Sequence, residues 1–141
     1  MTTALHLILP VPISSNNLFS NVRGRGRVST ARYRKWRREA KELLRIQGPL
    51  PHYSVPVSIT YLIGESGVGL MDAGNAEKAY TDALVGAGVL VDDSRRWVRS
   101  VTPQWVPGMS RCVAVIQEVD RELCPSEIAL KIPEGLRGLL Q

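Results

Sequence analysis

Three aspartates and one lysine are the residues of this chain whose types and spacing best suit chemistry. Asp72 opens the run Asp72-Ala73-Gly74-Asn75-Ala76-Glu77-Lys78, and Asp92-Asp93 follows after a helix-length interval. Carboxylates at the two ends of one helix-plus-turn unit suit hydrolysis of a phosphodiester. That reaction needs a water in line with the leaving oxygen and a cation on the nonbridging oxygens, which gain charge in the transition state. Hard oxygen ligands hold magnesium for that purpose. If the elements carrying Asp72 and Asp92-Asp93 lie side by side, the three acids converge as metal ligands, and the bound ion relieves their repulsion. Lys78, on the same helix side as Asn75, could then stabilise the pentavalent phosphate or orient the attacking water.

Each of these residues also has a plainer use. Asp72 ahead of Ala73-Gly74-Asn75 could cap a helix or form an Asx-turn. Asp92-Asp93-Ser94 could be a solvated turn, and Lys78, four residues before Asp82, could form an ordinary helical ion pair.

The elements that must position these groups follow from the hydrophobic pattern. Ala4 to Leu9 reads as a strand stopped at Pro10-Val11-Pro12, where proline removes a backbone donor. The stretch with Ser14-Ser15-Asn16-Asn17 and with Arg23, Arg25 and Arg27 between glycines reads as a polar loop, mobile without a ligand. Beyond an N-cap at Ser29 or Thr30, Tyr33, Trp36, Ala40, Leu43 and Leu44 recur at helical spacing, with Arg34, Lys35, Arg37, Arg38, Lys41 and Arg45 opposite. Val55 to Tyr61 alternates as a strand, with Pro56 marking an edge or a strand start. About Asn75 to Ala87 is a second helix ended by Gly86 and Gly88, and Val89 to Val91 reads as a brief strand. Trp97 to Thr102 and Arg111 to Val119 resemble paired strands around Pro107-Gly108. The order β-α-β-α-β-β-β implies a single α+β domain over residues 1–120, with a mixed sheet and two main helices packed on it, followed by a tail over 121–141 that is docked or flexible.

The 141 residues, 44% of them apolar, are enough for one compact core. Charge is unevenly distributed: from Arg23 to Arg45 ten Lys or Arg residues face only Glu39 and Glu42, a net of +8, so the chain's +5 leaves −3 for the rest. Clustered cations displace counterions from nucleic acid and steer its approach. A membrane partner is not expected, because the basic segment lacks a broad apolar face and no apolar run approaches the ~20 residues of a membrane span. Cys112 and Cys124 stand apart from each other and from His6 and His52, which argues against zinc and fits a reduced cytoplasm.

Taken in order, these motifs resemble the RusA endodeoxyribonucleases, which resolve Holliday junctions. The resemblance rests on Leu9-Pro10-Val11-Pro12, Ser15-Asn16-Asn17, the basic loop to Val28-Ser29, D-x-x-N-x-x-K at Asp72, Asn75 and Lys78, Asp82-Ala83-Leu84, and Val91-Asp92-Asp93. It covers roughly residues 5 to 119. It implies a small homodimeric nuclease of phage or prophage type in the bacterial cytoplasm, cutting four-way DNA by paired nicks with magnesium, or manganese in its place. A two-fold dimer suits a two-fold substrate. The implied catalytic residues are Asp72, Asp93 and Lys78, and the implied metal ligands Asp72, Asp92 and Asp93. Asn16, Asn17, Arg23, Arg25, Arg27, Arg34, Arg37, Arg38 and Asn75 fall on the DNA side.

Where the family reads D-x-D-N, this chain carries Gly74, which has no side chain to offer a metal. Asp92 or Glu77 then supplies the missing oxygen, or magnesium takes a further water, or the chain binds junctions without cutting them. A basic RNA-binding or assembly module is the alternative outside this family. Changing Arg34, Arg37 and Arg38 together to alanine is expected to weaken DNA binding and flatten its log–log salt dependence by up to about three phosphate contacts. A salt titration giving an unchanged slope would move the DNA surface elsewhere.

Overall fold

The computed structural model describes residues 4–66, 68–119 and 133–140. A four-stranded mixed sheet, ordered β1-β6-β4-β5, carries two helices, and a separate two-stranded hairpin stands beside it. The strands are β1 (Leu5–Leu9), β2 (Phe19–Val22), β3 (Gly26–Ser29), β4 (Val57–Gly64), β5 (Val98–Val106) and β6 (Cys112–Glu118). The helices are α1 (Ala31–Ile46) and α2 (Glu77–Gly86). The expected α+β domain is therefore present, and the order along the chain is β-β-β-α-β-α-β-β.

Register explains the core. Leu5, Ile116 and Ile59 form one cross-strand row, Leu7, Ala114 and Tyr61 the next, and Leu9, Cys112 and Ile63 the third. Because side chains alternate across a strand, all three rows point to the same face. That face packs against Trp36, Ala40 and Leu44 of α1 and Ala79, Tyr80 and Leu84 of α2, all buried. The other face carries His6, Ile8, Thr60, Leu62, Val113 and Val115, which are exposed or half-buried.

Local signals set the boundaries. Thr30 Oγ1 accepts from the Tyr33 N–H at 3.1 Å and caps α1, as the sequence allows. Gln47, at the end of α1, uses its side-chain amide like a strand: it accepts from Ile8 N–H at 2.7 Å and donates to Ile8 O at 2.8 Å. One position of the β1 edge is thereby covered.

Three sequence expectations need correction. The polar stretch carrying Arg23, Arg25 and Arg27 is the β2–β3 hairpin, with Asn21 opposite Arg27 and a turn closed by Arg25 N–H to Val22 O at 3.0 Å. Gly24, at φ +81°, makes that turn possible. Val89 to Val91 is not a strand. Gly88, at φ +80°, turns the chain back, Val89 N–H bonds Leu84 O and Gly88 N–H bonds Val85 O. This is a Schellman end to α2, and its apolar residues plug the helix terminus.

The third correction concerns β5 and β6, which do not pair with each other. β5 runs parallel to one side of β4 and β6 antiparallel to the other. Their connection crosses the end of β4, where Gly64 N–H bonds Arg111 O at 2.8 Å and Ser66 N–H bonds Met109 O at 3.0 Å. A Cβ on Gly64 would fall on the Met109 carbonyl.

In the tail, 133–140 is described and Glu134–Leu140 forms a short 3-10 helix; the expectations for 121–132, 141 and Cys124 lie outside the described residues. No helix among the described residues is long and apolar enough to cross a membrane. Gly64→Ala is expected to destabilise the fold by about 1–3 kcal/mol, because backbone rather than a flexible side chain must move. Gly69→Ala meets nothing within 4 Å and should leave the melting temperature nearly unchanged. Equal melting temperatures for the two variants would contradict the crossing at Gly64.

Candidate active site and DNA interface

Two aromatic side chains fix the approach to the site. Tyr80 Oη donates to Pro10 O at 2.7 Å and Trp36 Nε1 donates to Val11 O at 2.7 Å. The chain leaving β1 is thereby bonded to both helices. It next forms a 3-10 turn at Ser15–Asn17, where Ser14 Oγ accepts from Asn16 N–H at 3.3 Å. From that turn Ser15 Oγ donates to Asn75 Oδ1 at 3.1 Å. Residues sixty apart in sequence are joined at one place, and both belong to the motifs that carry the family resemblance.

Asp72 is exposed, and its carbonyl accepts from Asn75 N–H at 3.0 Å across the 3-10 turn Ala73–Asn75. It does not cap α2, since that position belongs to Ala76 and has no side-chain cap bond. Lys78 Nζ lies 3.3 Å from Asp82 Oδ2 on the exposed side of α2. This is the helical ion pair that the spacing allowed, and exposed pairs of this kind hold a side chain only weakly. Gly74 faces open space, with nothing within 4 Å of a built Cβ.

Asp92 and Asp93 stand elsewhere. β4 and β5 are parallel, with Val57 opposite Val98 and Gly64 opposite Val106. Asp72 follows the end of β4, whereas Asp92-Asp93 precede the start of β5, tied there by Trp97 N–H to Ser94 O at 3.0 Å. Along the chain the ten residues of α2 lie between the two. Among the described residues no three His, Cys, Asp or Glu side chains gather as ligands for a metal ion.

The turn at Asp92 has its own electrostatics. The Ser94 hydroxyl and backbone N–H donate to Asp92, the latter at 2.7 Å, and the charge of Arg96 adds to them. The carboxyl is held below the ordinary carboxylate range and is ionised at neutral pH. Burial pushes the Cys112 thiol up to about 12, which removes it as a nucleophile.

The basic elements meet the Ser15–Asn17 turn from the other side. Thr30 Oγ1, besides capping α1, donates to Asn17 O at 2.6 Å, closing the base of the hairpin. Arg23 and Arg25 are exposed at the hairpin tip, and Arg27 lies over the Phe19 ring, 4.3 Å from its centroid. On α1, Arg34 donates to Ser29 O and Arg37 covers the Tyr33 ring at 4.6 Å. Lys35 pairs with Glu39 at 3.9 Å and Arg45 with Glu42. Asn16 and Asn17 are exposed between hairpin and motif, and Arg38 is exposed along the helix.

Sequence reasoning missed Ser15 as the link to Asn75, and Phe19 and Asn21 as partners of Arg27. A period-2 alternation of Phe19, Asn21 and Arg23 was present in the sequence, but without apolar residues at both faces it gives no strand signal. Compared with known proteins, the chain matches no family model and no curated protein.

NMR titration of Asp92 is expected to give a midpoint below the ordinary carboxylate range. Its folded-state value being depressed, any stabilisation it provides is present above the unfolded-state value and lost as pH falls through the folded one. Ser94→Ala should move the midpoint upward; an unshifted midpoint would contradict the described turn.

Proposed function

We propose that this protein is a RusA-type Holliday junction resolvase, a cytoplasmic homodimer that grips four-way DNA and nicks it with magnesium. The observation that carries the gripping half is the Ser15–Asn75 hydrogen bond, 3.1 Å. Through it the Asn16-Asn17 turn, which leads into the arginine hairpin and the basic helix, is joined to the Asp72–Lys78 segment. Hairpin and α1 present guanidinium groups to phosphates, which fixes position rather than sequence. Asp72 and Lys78 then lie beside the bound strand, and Asn75 holds the turn that carries Asp72.

The cutting half rests on the resemblance and on the demands of phosphodiester chemistry. Among the described residues no three His, Cys, Asp or Glu side chains gather as a donor set for magnesium, so no step is derived through the ion. Gly74, where the family carries an acid, is the observation behind a second reading: a branched-DNA-binding protein on the same fold that does not cut.

A nicking assay on a synthetic four-way junction with magnesium distinguishes the two. Paired symmetric nicks are expected, and Asp93→Asn should abolish them while leaving junction affinity equal or higher, since it removes negative charge near DNA. Intact junctions under conditions of clear binding would sink the enzyme and leave the binding protein. Parental cutting by Asp93→Asn would remove Asp93 from the site.

A further inference from the structure

The surface between the Ser15–Asn17 turn and the hairpin holds a cleft of about 340 Å³, lined by Ser15, Asn16, Phe19, Ser20, Asn21 and Arg27. Its walls follow from register. Asn21 faces Arg27 across the β2–β3 ladder, and Phe19, two residues from Asn21, shares its side of the hairpin. The Arg27 guanidinium lies on the Phe19 ring at 4.3 Å from the centroid. Phe19 in turn meets Tyr33 edge to face, 5.7 Å between centroids at 74°. The half-buried ring is thus held from the core side, and the Arg27 guanidinium lies over it.

We infer that this cleft takes one unpaired nucleobase of a branched DNA strand, stacked on the Arg27–Phe19 platform and hydrogen-bonded along its edge by Asn16 and Asn21. The inference rests on the proposal that the chain binds branched DNA. A phosphodiester accepts hydrogen bonds and donates none, so a pocket built for it needs donors alone. Here both carboxamides, exposed at the cleft, offer an acceptor as well as donors, which matches a base edge. A guanidinium held over an aromatic ring leaves its outer side open to a further flat group. Every base has a face that can stack, and the cost of taking one out of a duplex is least where pairing is already broken.

Position adds a consequence. Ser15 lines the cleft and also donates to Asn75 at 3.1 Å. A base seated in the cleft therefore brings its adjoining phosphodiester beside the Asp72–Lys78 segment. The cleft would select the nucleotide at which the strand is presented, a role that phosphate contacts from α1 cannot fill.

The test uses a four-way junction carrying the fluorescent base 2-aminopurine at the crossover or, as a control, within an arm, with calcium in place of magnesium. The full-length protein should change the crossover emission and leave the arm probe unaltered. Arg27→Lys keeps the charge but loses the plane, so it should lose the crossover signal and weaken junction binding by about tenfold. Asn21→Ala should reduce that signal and weaken binding by about tenfold, with melting temperature measured on both variants to show that the hairpin persists. If Arg27→Lys retains the full signal, or if the parent binds with no change at the crossover, the cleft is not a base site and the proposal of junction binding survives. Absence of any junction binding overturns both.

Discussion

The carbonyl oxygens of Pro10 and Val11 are the point on which the two halves of the molecule depend. Neither belongs to a ladder, since proline ends β1 there, and an unpaired carbonyl near the core would cost about 1–3 kcal/mol. Tyr80 from α2 and Trp36 from α1 supply the two donors at 2.7 Å each. The same rings stack toward one another, Trp36 on Tyr80 at 5.5 Å and Tyr80 on Tyr61 at 5.4 Å, with Tyr61 Oη bonded to Thr81 Oγ1 at 2.7 Å. Burial drives the phenol groups of Tyr61 and Tyr80 well above their usual range, so both stay protonated as donors at any physiological pH. A line of aromatic contacts then runs outward through Tyr33 to Phe19 on the hairpin. The hydrogen bonds in the core thereby aim the Ser15–Asn17 turn at Asn75.

Much of the protein was legible because its signals are local. α1 follows from helical spacing and a Thr30 cap, β4 from alternation, and α2 from its apolar side and glycine stop. The hairpin was illegible because arginine, asparagine and glycine leave no apolar period, and its stability comes from Phe19 on Tyr33 and from Thr30 bonding Asn17. Val89 and Leu90 were rightly expected to be apolar and buried, at 0% and 2% exposure. Burial alone cannot tell a strand from a plugged helix end. The pairing of β5 with β4 was hidden too, because a chain crossing at Gly64 is decided by tertiary contacts rather than by the turn at Pro107-Gly108.

The candidate site divides in the same way. Spacing allowed the Lys78–Asp82 pair on α2, whereas Asn75 falls in the 3-10 turn ahead of that helix. Asp92, already bonded by Ser94 and offset by Arg96, is stable as a carboxylate without a metal. Gripping is consequently supported by what the folded chain gathers, and cutting by resemblance. The basic surface is also less uniform than its net charge suggests: Lys35 and Arg45 meet glutamates on their own helix, while Arg27 and Arg37 lie over aromatic rings.

The central claim is that the hairpin, the turn and α1 form a surface for branched DNA. Competition binding tests it most directly, with a labelled four-way junction challenged at fixed salt by unlabelled junction, linear duplex and single-stranded RNA. The account predicts displacement by unlabelled junction at far lower concentration than by duplex or RNA. Preferential displacement by single-stranded RNA would contradict it.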